Sequence, residues 1–248
     1  MIRASTAATR VRAPANSASR GAEAQEPAEI TGRIERVATD LFIRNGYHGV
    51  SYLEIAKVLG ITHSNVHYYY RNKSALAEAV LRRVAAETLA STSGIWRDAD
   101  ATLAQKFARM RDWLFESYLR FNPEGKGGRP WGLLSRFSME ADALGTEMKQ
   151  VIRATLRKHE TDVRHGVEAP VKSGELRANS PVDGISLQIL SVMHLTGQLT
   201  RYSSGFPRLD ELLMWTITTL YRAYGTGLHE VRWPAPGAAR SLALELAS

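Results

Sequence analysis

Three polar side chains stand together at His63, Ser64 and Asn65, and a lysine follows an asparagine at Asn72-Lys73. Histidine and asparagine both donate and accept hydrogen bonds, and asparagine matches the paired donor and acceptor on an adenine edge. Serine is small enough to permit close approach. Asn72 is a helix N-cap by type. Lys73 beside it would bring a cation to the free N–H groups of a helix start, an arrangement that grips phosphate. Each has a plainer reading: a solvated polar residue, a cap or a surface lysine.

Two short helices must position these residues. Ser51 with Glu54 three residues on makes a capping box, and Ile55, Ala56, Val58 and Leu59 follow it. Gly60 suits the left-handed end of that helix. Thr62 can cap the second, which runs to about Tyr69. A helix of about two turns does not persist alone in water, so neighbours must hold it while one face stays free. That is the logic of a helix-turn-helix, whose second helix enters the DNA major groove. The helix from Ile30, with Ile34, Val37, Ala38, Leu41 and Phe42 on one face, supplies the support behind, and Asn45-Gly46 stops it. A connector helix leaves at Asn72 and is expected to break near Thr92, in Ser-Thr-Ser-Gly.

The chain has 248 residues, 44% hydrophobic and 23% charged, which suits a soluble chain with a real core. It has no cysteine, which excludes disulfides, thiolate metal sites and cysteine nucleophiles. No apolar run approaches the ~20 residues of a membrane span, and the first residues lack the apolar core of a signal peptide, so a cytoplasmic location without membrane attachment is expected. A net charge of +7 favours an acidic partner such as nucleic acid. The head accounts for part of it: Glu29 to Arg83 holds eight Arg/Lys against five Asp/Glu.

Residues 1–28 carry Arg3, Arg10, Arg12 and Arg20 among Ala, Ser and Pro. They read as a disordered basic arm, either an inert leader or a segment that follows DNA. Residues 29–76 form the head. Residues 77–225 are helical throughout, with loops at 121–130 and 170–181. Helices at about 182–203 and 208–224 are apolar on two sides, where a surface helix needs one apolar face. A second copy of the pair would cover the outer side, giving a two-fold four-helix seam at which Gly197 permits close approach. A central position in a monomer core is the other reading. Residues 226–248 read as a flexible tail.

Residues 46–76, G-Y-H-G-V-S-Y-L-E-I-A-K-V-L-G-I-T-H-S-N-V-H-Y-Y-Y-R-N-K-S-A-L, resemble the TetR family of transcriptional regulators. The match lies in Gly-Tyr, the acidic-Ile-Ala core, the Gly-Ile-Thr turn, the aromatic run and Lys with Leu three residues on. The resemblance implies an all-α homodimer of about nine helices per chain. Each chain would have a three-helix DNA-binding head and a larger regulatory and dimerisation domain with a small-molecule pocket. It also implies contacts with the DNA backbone from Tyr52, from His67 (where the family usually has tyrosine) and from Tyr69, with Tyr68 and Tyr70 packing. Ser51 is chiefly a cap with a hydroxyl to spare.

For an apolar or aromatic effector the candidate pocket residues are Trp113, Tyr118, Phe137, His159 and His194, with Trp131 and Met148 beside them. Each also reads as core. The expected function is a repressor released from a palindromic operator by that effector. A ligand-independent regulator or activator is the alternative. An all-helical enzyme or metal protein is remote: His159, Glu160, Asp162 and His165 are the only cluster to consider, and no phosphate loop, nucleophile elbow or metal-ligand set appears. No catalytic residue, metal or cofactor is expected.

Overall fold

The computed structural model describes residues 18–227 and 233. Among the described residues there are nine α-helices, one 3-10 turn and no strand beyond two isolated bridges. The all-α expectation therefore stands.

Helix α1 (Ala18–Asn45) begins well before Ile30, so residues 18–28 are helical where a disordered arm was expected. Residues 1–17 of that arm lie outside the described residues. Ile34, Ala38 and Phe42 of α1 are completely buried. Helix α2 (Tyr52–Leu59) packs on α1, and α3 (His63–Tyr69) packs on α2. The local chemistry at their ends is as read. Ser51 forms the capping box with Glu54, Gly60 closes α2 at φ 67°, and the Thr62 hydroxyl accepts from Asn65 N–H.

Helix α4 (Lys73–Arg97) starts at the Asn72 cap and runs unbroken through Ser91-Thr92-Ser93-Gly94, contrary to the expected break. The hydroxyls there bond without drawing the backbone out of the helix. Ser91 and Thr92 donate to carbonyls one turn back, and Ser93 donates to Asp162 Oδ2 at 2.5 Å. The helix is also clamped from α7 (Thr146–Lys172), its principal neighbour. Gly166 lies so close to Trp96 that a Cβ there would sit 2.8 Å from the indole.

Helix α5 (Leu103–Leu119) opens with a Thr102–Gln105 capping box. Helix α6 (Leu133–Met139) is short, with a 3-10 turn at Ala141–Ala143 following it. Helix α7 continues past Pro170, where a loop was expected to begin. Proline cannot donate to the carbonyl four residues back. That carbonyl, Gly166 O, instead accepts from the buried Lys106 ammonium at 3.2 Å.

Helices α8 (Val182–Tyr202) and α9 (Pro207–Tyr224) close the body and fall where periodicity put them. Of their two apolar sides, one is core and the other is open. Ile185, Ile189, Leu190, Leu209, Leu213, Ile217 and Leu220 are core, while Leu187, Leu195, Tyr202 and Trp215 are exposed. Gly197, expected at a seam between copies, faces Ser135 of α6 in the same chain. Of the tail, Trp233 donates to Asp210 Oδ1 at 3.0 Å and lies under the Arg111 guanidinium. Residues 228–232 and 234–248 lie outside the described residues. No described helix is long and apolar enough to cross a membrane.

Candidate nucleic-acid interface

Val66 is the pivot of α3. It is fully buried against the head core, and helical geometry then fixes the rest of the helix around it. Three and four residues on, Tyr69 is half-buried and Tyr70 buried, while His63, Ser64, Asn65, His67 and Tyr68 are exposed. Tyr70 OH donates to Glu35 Oε1 at 2.6 Å, and Arg83 Nε reaches the other oxygen of Glu35 at 3.0 Å. One carboxylate thus ties α1, the end of α3 and α4 together. Burial and that hydrogen bond push the Tyr70 hydroxyl pKa up, so it stays a donor.

Two of the expected roles change. Tyr52 is 6% exposed and its hydroxyl donates to Tyr70 O at 3.1 Å, so it is a packing residue in this structure, not an open phosphate donor. Burial is the main reason its pKa rises to about 12. Its ring instead props the outer face of α3. The His67 ring stands edge-on to it at 4.6 Å, and the His63 ring stands edge-on to His67 at 4.5 Å. The tyrosine run is corrected as well. Tyr68, expected to pack, is 83% exposed, while Tyr69 lies partly within the core. The signal was available: residues 66, 69 and 70 share a helix face, and 68 does not.

Asn65 is exposed, with Oδ1 accepting from the Thr62 hydroxyl at 2.9 Å. Ser51 is exposed, its hydroxyl engaged with Glu54 Oε2 at 3.0 Å. Lys73 is half-buried and donates to His48 O at 3.4 Å, with its ammonium 4.9 Å above the Tyr47 ring. Tyr47 belongs to the Gly-Tyr of the motif, but its contact with Lys73 was not read from the sequence, because it joins turns 26 residues apart.

The candidate effector residues are spread over several elements of the body. Tyr118 and Phe137 are completely buried. Tyr118 donates to Gly127 O at 2.7 Å and packs on Trp131 and Phe206, while Phe137 packs on Phe42 and Tyr47 of the head. Trp113 is half-buried on α5. His159 bonds Thr92 Oγ1 at 2.7 Å, and burial, helped by the neighbouring His194, holds its pKa below the usual histidine value. Two described cavities, of about 340 and 200 Å³, border none of these five residues. The remote metal cluster also disperses. Asp162 turns in to Ser93, Arg97 and Lys158, whereas Glu160 and His165 are exposed.

Residues 34–80 match the family model of bacterial regulatory proteins, tetR family. No curated protein matches the chain significantly. Among solved structures, a TetR transcriptional regulator from Chloroflexus aurantiacus is 18% identical with a TM-score of 0.69, covering 82% of this chain and all of that one. The regulatory protein TetR from Rhodobacter sphaeroides is 16% identical with a TM-score of 0.63, covering 78% of this chain and 97% of that one. The regulator FadR from Bacillus subtilis, in complex with stearoyl-CoA, is 19% identical with a TM-score of 0.57, covering 79% of this chain and 98% of that one. These likenesses are of fold. With residues 34–80 matched in sequence, the capped α2–α3 pair presenting its polar face and this fold around it, the chain carries the DNA-binding head of the tetR family of bacterial regulatory proteins on a body folded like those of TetR regulators.

Proposed function

We propose that the protein is a homodimeric repressor of the cytoplasm that grips a palindromic operator and lets go when a small molecule binds. The observation that carries the reading is the exposed face of α3, where His63, Ser64 and Asn65 are open to solvent on a capped helix held by Val66. His63, Ser64 and Asn65 read base edges in the major groove. His67, Lys73 and the Ser51 hydroxyl meet phosphates, with the accessible side of Tyr69 at the edge and Tyr68 joining the set. The head comprises residues 29–76 and the effector and dimer domain residues 77–225. Two copies join through the outer faces of α8 and α9, where Leu187, Leu195, Tyr202 and Trp215 are exposed. That pairing is isologous, so each copy presents one recognition helix to one half-site. Gel-shift titration on DNA flanking the protein's own gene tests the reading. A folded dimer that binds no palindrome there would sink it.

The bound stearoyl-CoA of the FadR structure supports an effector of partly apolar character. A second reading, regulation without a ligand, draws on the closed packing of Tyr118 and Phe137. Thermal unfolding with a panel of apolar and acyl compounds separates the two, since a true effector raises the midpoint.

A further inference from the structure

The turn between α1 and α2 is held from outside the head. Gly46 ends α1 at φ 75°, its N–H donating to Phe42 O at 2.9 Å. The next amide, Tyr47 N–H, donates to Glu140 Oε2 at 2.6 Å, across 93 residues of chain. Glu140 lies at the end of α6 and is oriented by an ion pair at 2.8 Å with Arg136, one turn earlier. Phe137 of the same helix stands edge-on to Phe42 at 5.5 Å and to Tyr47 at 6.3 Å. The approach is close: a Cβ on Gly46 would displace the Glu140 carboxylate and the Arg136 guanidinium.

The same turn carries the phosphate-gripping lysine on its other side. Lys73 Nζ lies 4.9 Å over the Tyr47 ring and donates to His48 O. Helix α6 is the least self-sufficient part of this arrangement. It has seven residues and no side-chain N-cap at Gly132, so its place is set by what it packs on. Those neighbours are α1 and α4 on one side and, through Ser135, Gly197 of α8 on the other.

We propose that Glu140 is a positioning residue for the DNA clamp: its carboxylate fixes the Gly46–His48 turn on which Lys73 rests, so that a displacement of α6 is felt as the loss of a phosphate contact. The inference rests on the operator-binding reading and names the regulation of that site. Because Glu140 touches only the back of the turn, it acts on DNA solely through Lys73 and Tyr47.

The test uses the full-length protein, a palindrome bound by the unsubstituted chain, and the variants Glu140→Ala, Glu140→Gln, Lys73→Ala and Glu140→Ala/Lys73→Ala. Glu140→Ala is expected to bind roughly tenfold more weakly and to flatten the dependence of log K on log salt by about one per protomer, as Lys73→Ala does. Glu140→Gln, whose amide oxygen still accepts from Tyr47 N–H, stays close to the parent. The double variant is no weaker than Lys73→Ala alone, because the two act as one unit. An unchanged salt dependence in Glu140→Ala, or losses that add in full, overturns the proposal. If the parent chain binds no palindrome, the operator reading fails by itself. Amide exchange then decides the latch: Tyr47 N–H exchanges faster in Glu140→Ala while the capped Glu54 N–H does not. Unaltered Tyr47 protection refutes it.

Discussion

Asn65 is outward-facing with its Oδ1 already accepting from the Thr62 hydroxyl. Adenine recognition needs both the oxygen and the amine of the side chain, so the proposed base contact exchanges one hydrogen bond for two. Asn65→Ala is therefore expected to cost about 1–3 kcal/mol on the preferred operator and to relax the preference at one base pair per half-site. Competition with singly substituted operators measures this. Tyr52 behaves in the opposite way. Removing its hydroxyl in Tyr52→Phe deletes the bond to Tyr70 O and lowers stability by about 0.5–1.5 kcal/mol, with the salt dependence of DNA binding unchanged. A flattened salt dependence in that variant would restore Tyr52 to the phosphate contacts. The caps at Ser51, Thr62 and Asn72 were legible in the sequence because each needs only a partner three residues away. The direction of Tyr52 was not, since it depends on where α3 crosses α2.

Helices α4 and α7 show how tertiary partners override local signals. The break expected at Ser91–Gly94 fails because α7 supplies Asp162 and His159 to the hydroxyls there. The loop expected at Pro170 is delayed because Lys106 takes the carbonyl that proline leaves unpaired. Neither partner lies within 50 residues of its target, so no window of sequence shows it. Lys106→Met should cost about 1–3 kcal/mol by leaving Gly166 O without a donor. Adding Pro170→Ala, which restores an N–H for that carbonyl, should recover part of the loss in chemical denaturation. The junction also has a pH signature. Burial opposes the charge on Asp162, but Lys158, Ser93 and Arg97 outweigh it and hold the carboxyl below its usual range. His159 is kept neutral mainly by burial. In both cases the unfolded chain binds protons more readily, so stability rises with pH. The His159 contribution is complete above about pH 6.5 and is lost on acidification below it, while that of Asp162 goes only below about pH 4. Thermal midpoints should fall between about pH 7 and pH 5, and His159→Gln should flatten that fall. A flat parent curve would contradict the assignment.

At the scale of the molecule, the order and approximate ends of most helices were readable from apolar stripes, and so was the doubly apolar character of the last two. Which residues face outward was not, because both sides of α8 and α9 look alike until α5 and α7 occupy one of them. Placing a charge at the exposed centre of α9, Trp215→Glu, should convert the proposed dimer to monomers at micromolar concentration with the helical content unchanged. Operator binding should fall with it, because one half-site alone offers half the contacts. Sedimentation and gel shift on the same sample check both. The continuity of α4 has a mechanical consequence. Its 25 residues form a rod of roughly 37 Å, with Lys73 at one end and the Ser93–Asp162 contact near the other. A tilt of about 5° at the body end would carry the lysine end roughly 3 Å, about the length of a hydrogen bond. A helix broken at Ser91–Gly94 would have absorbed that tilt at the joint, whereas the unbroken rod makes the head a pointer whose reading is set from the far end.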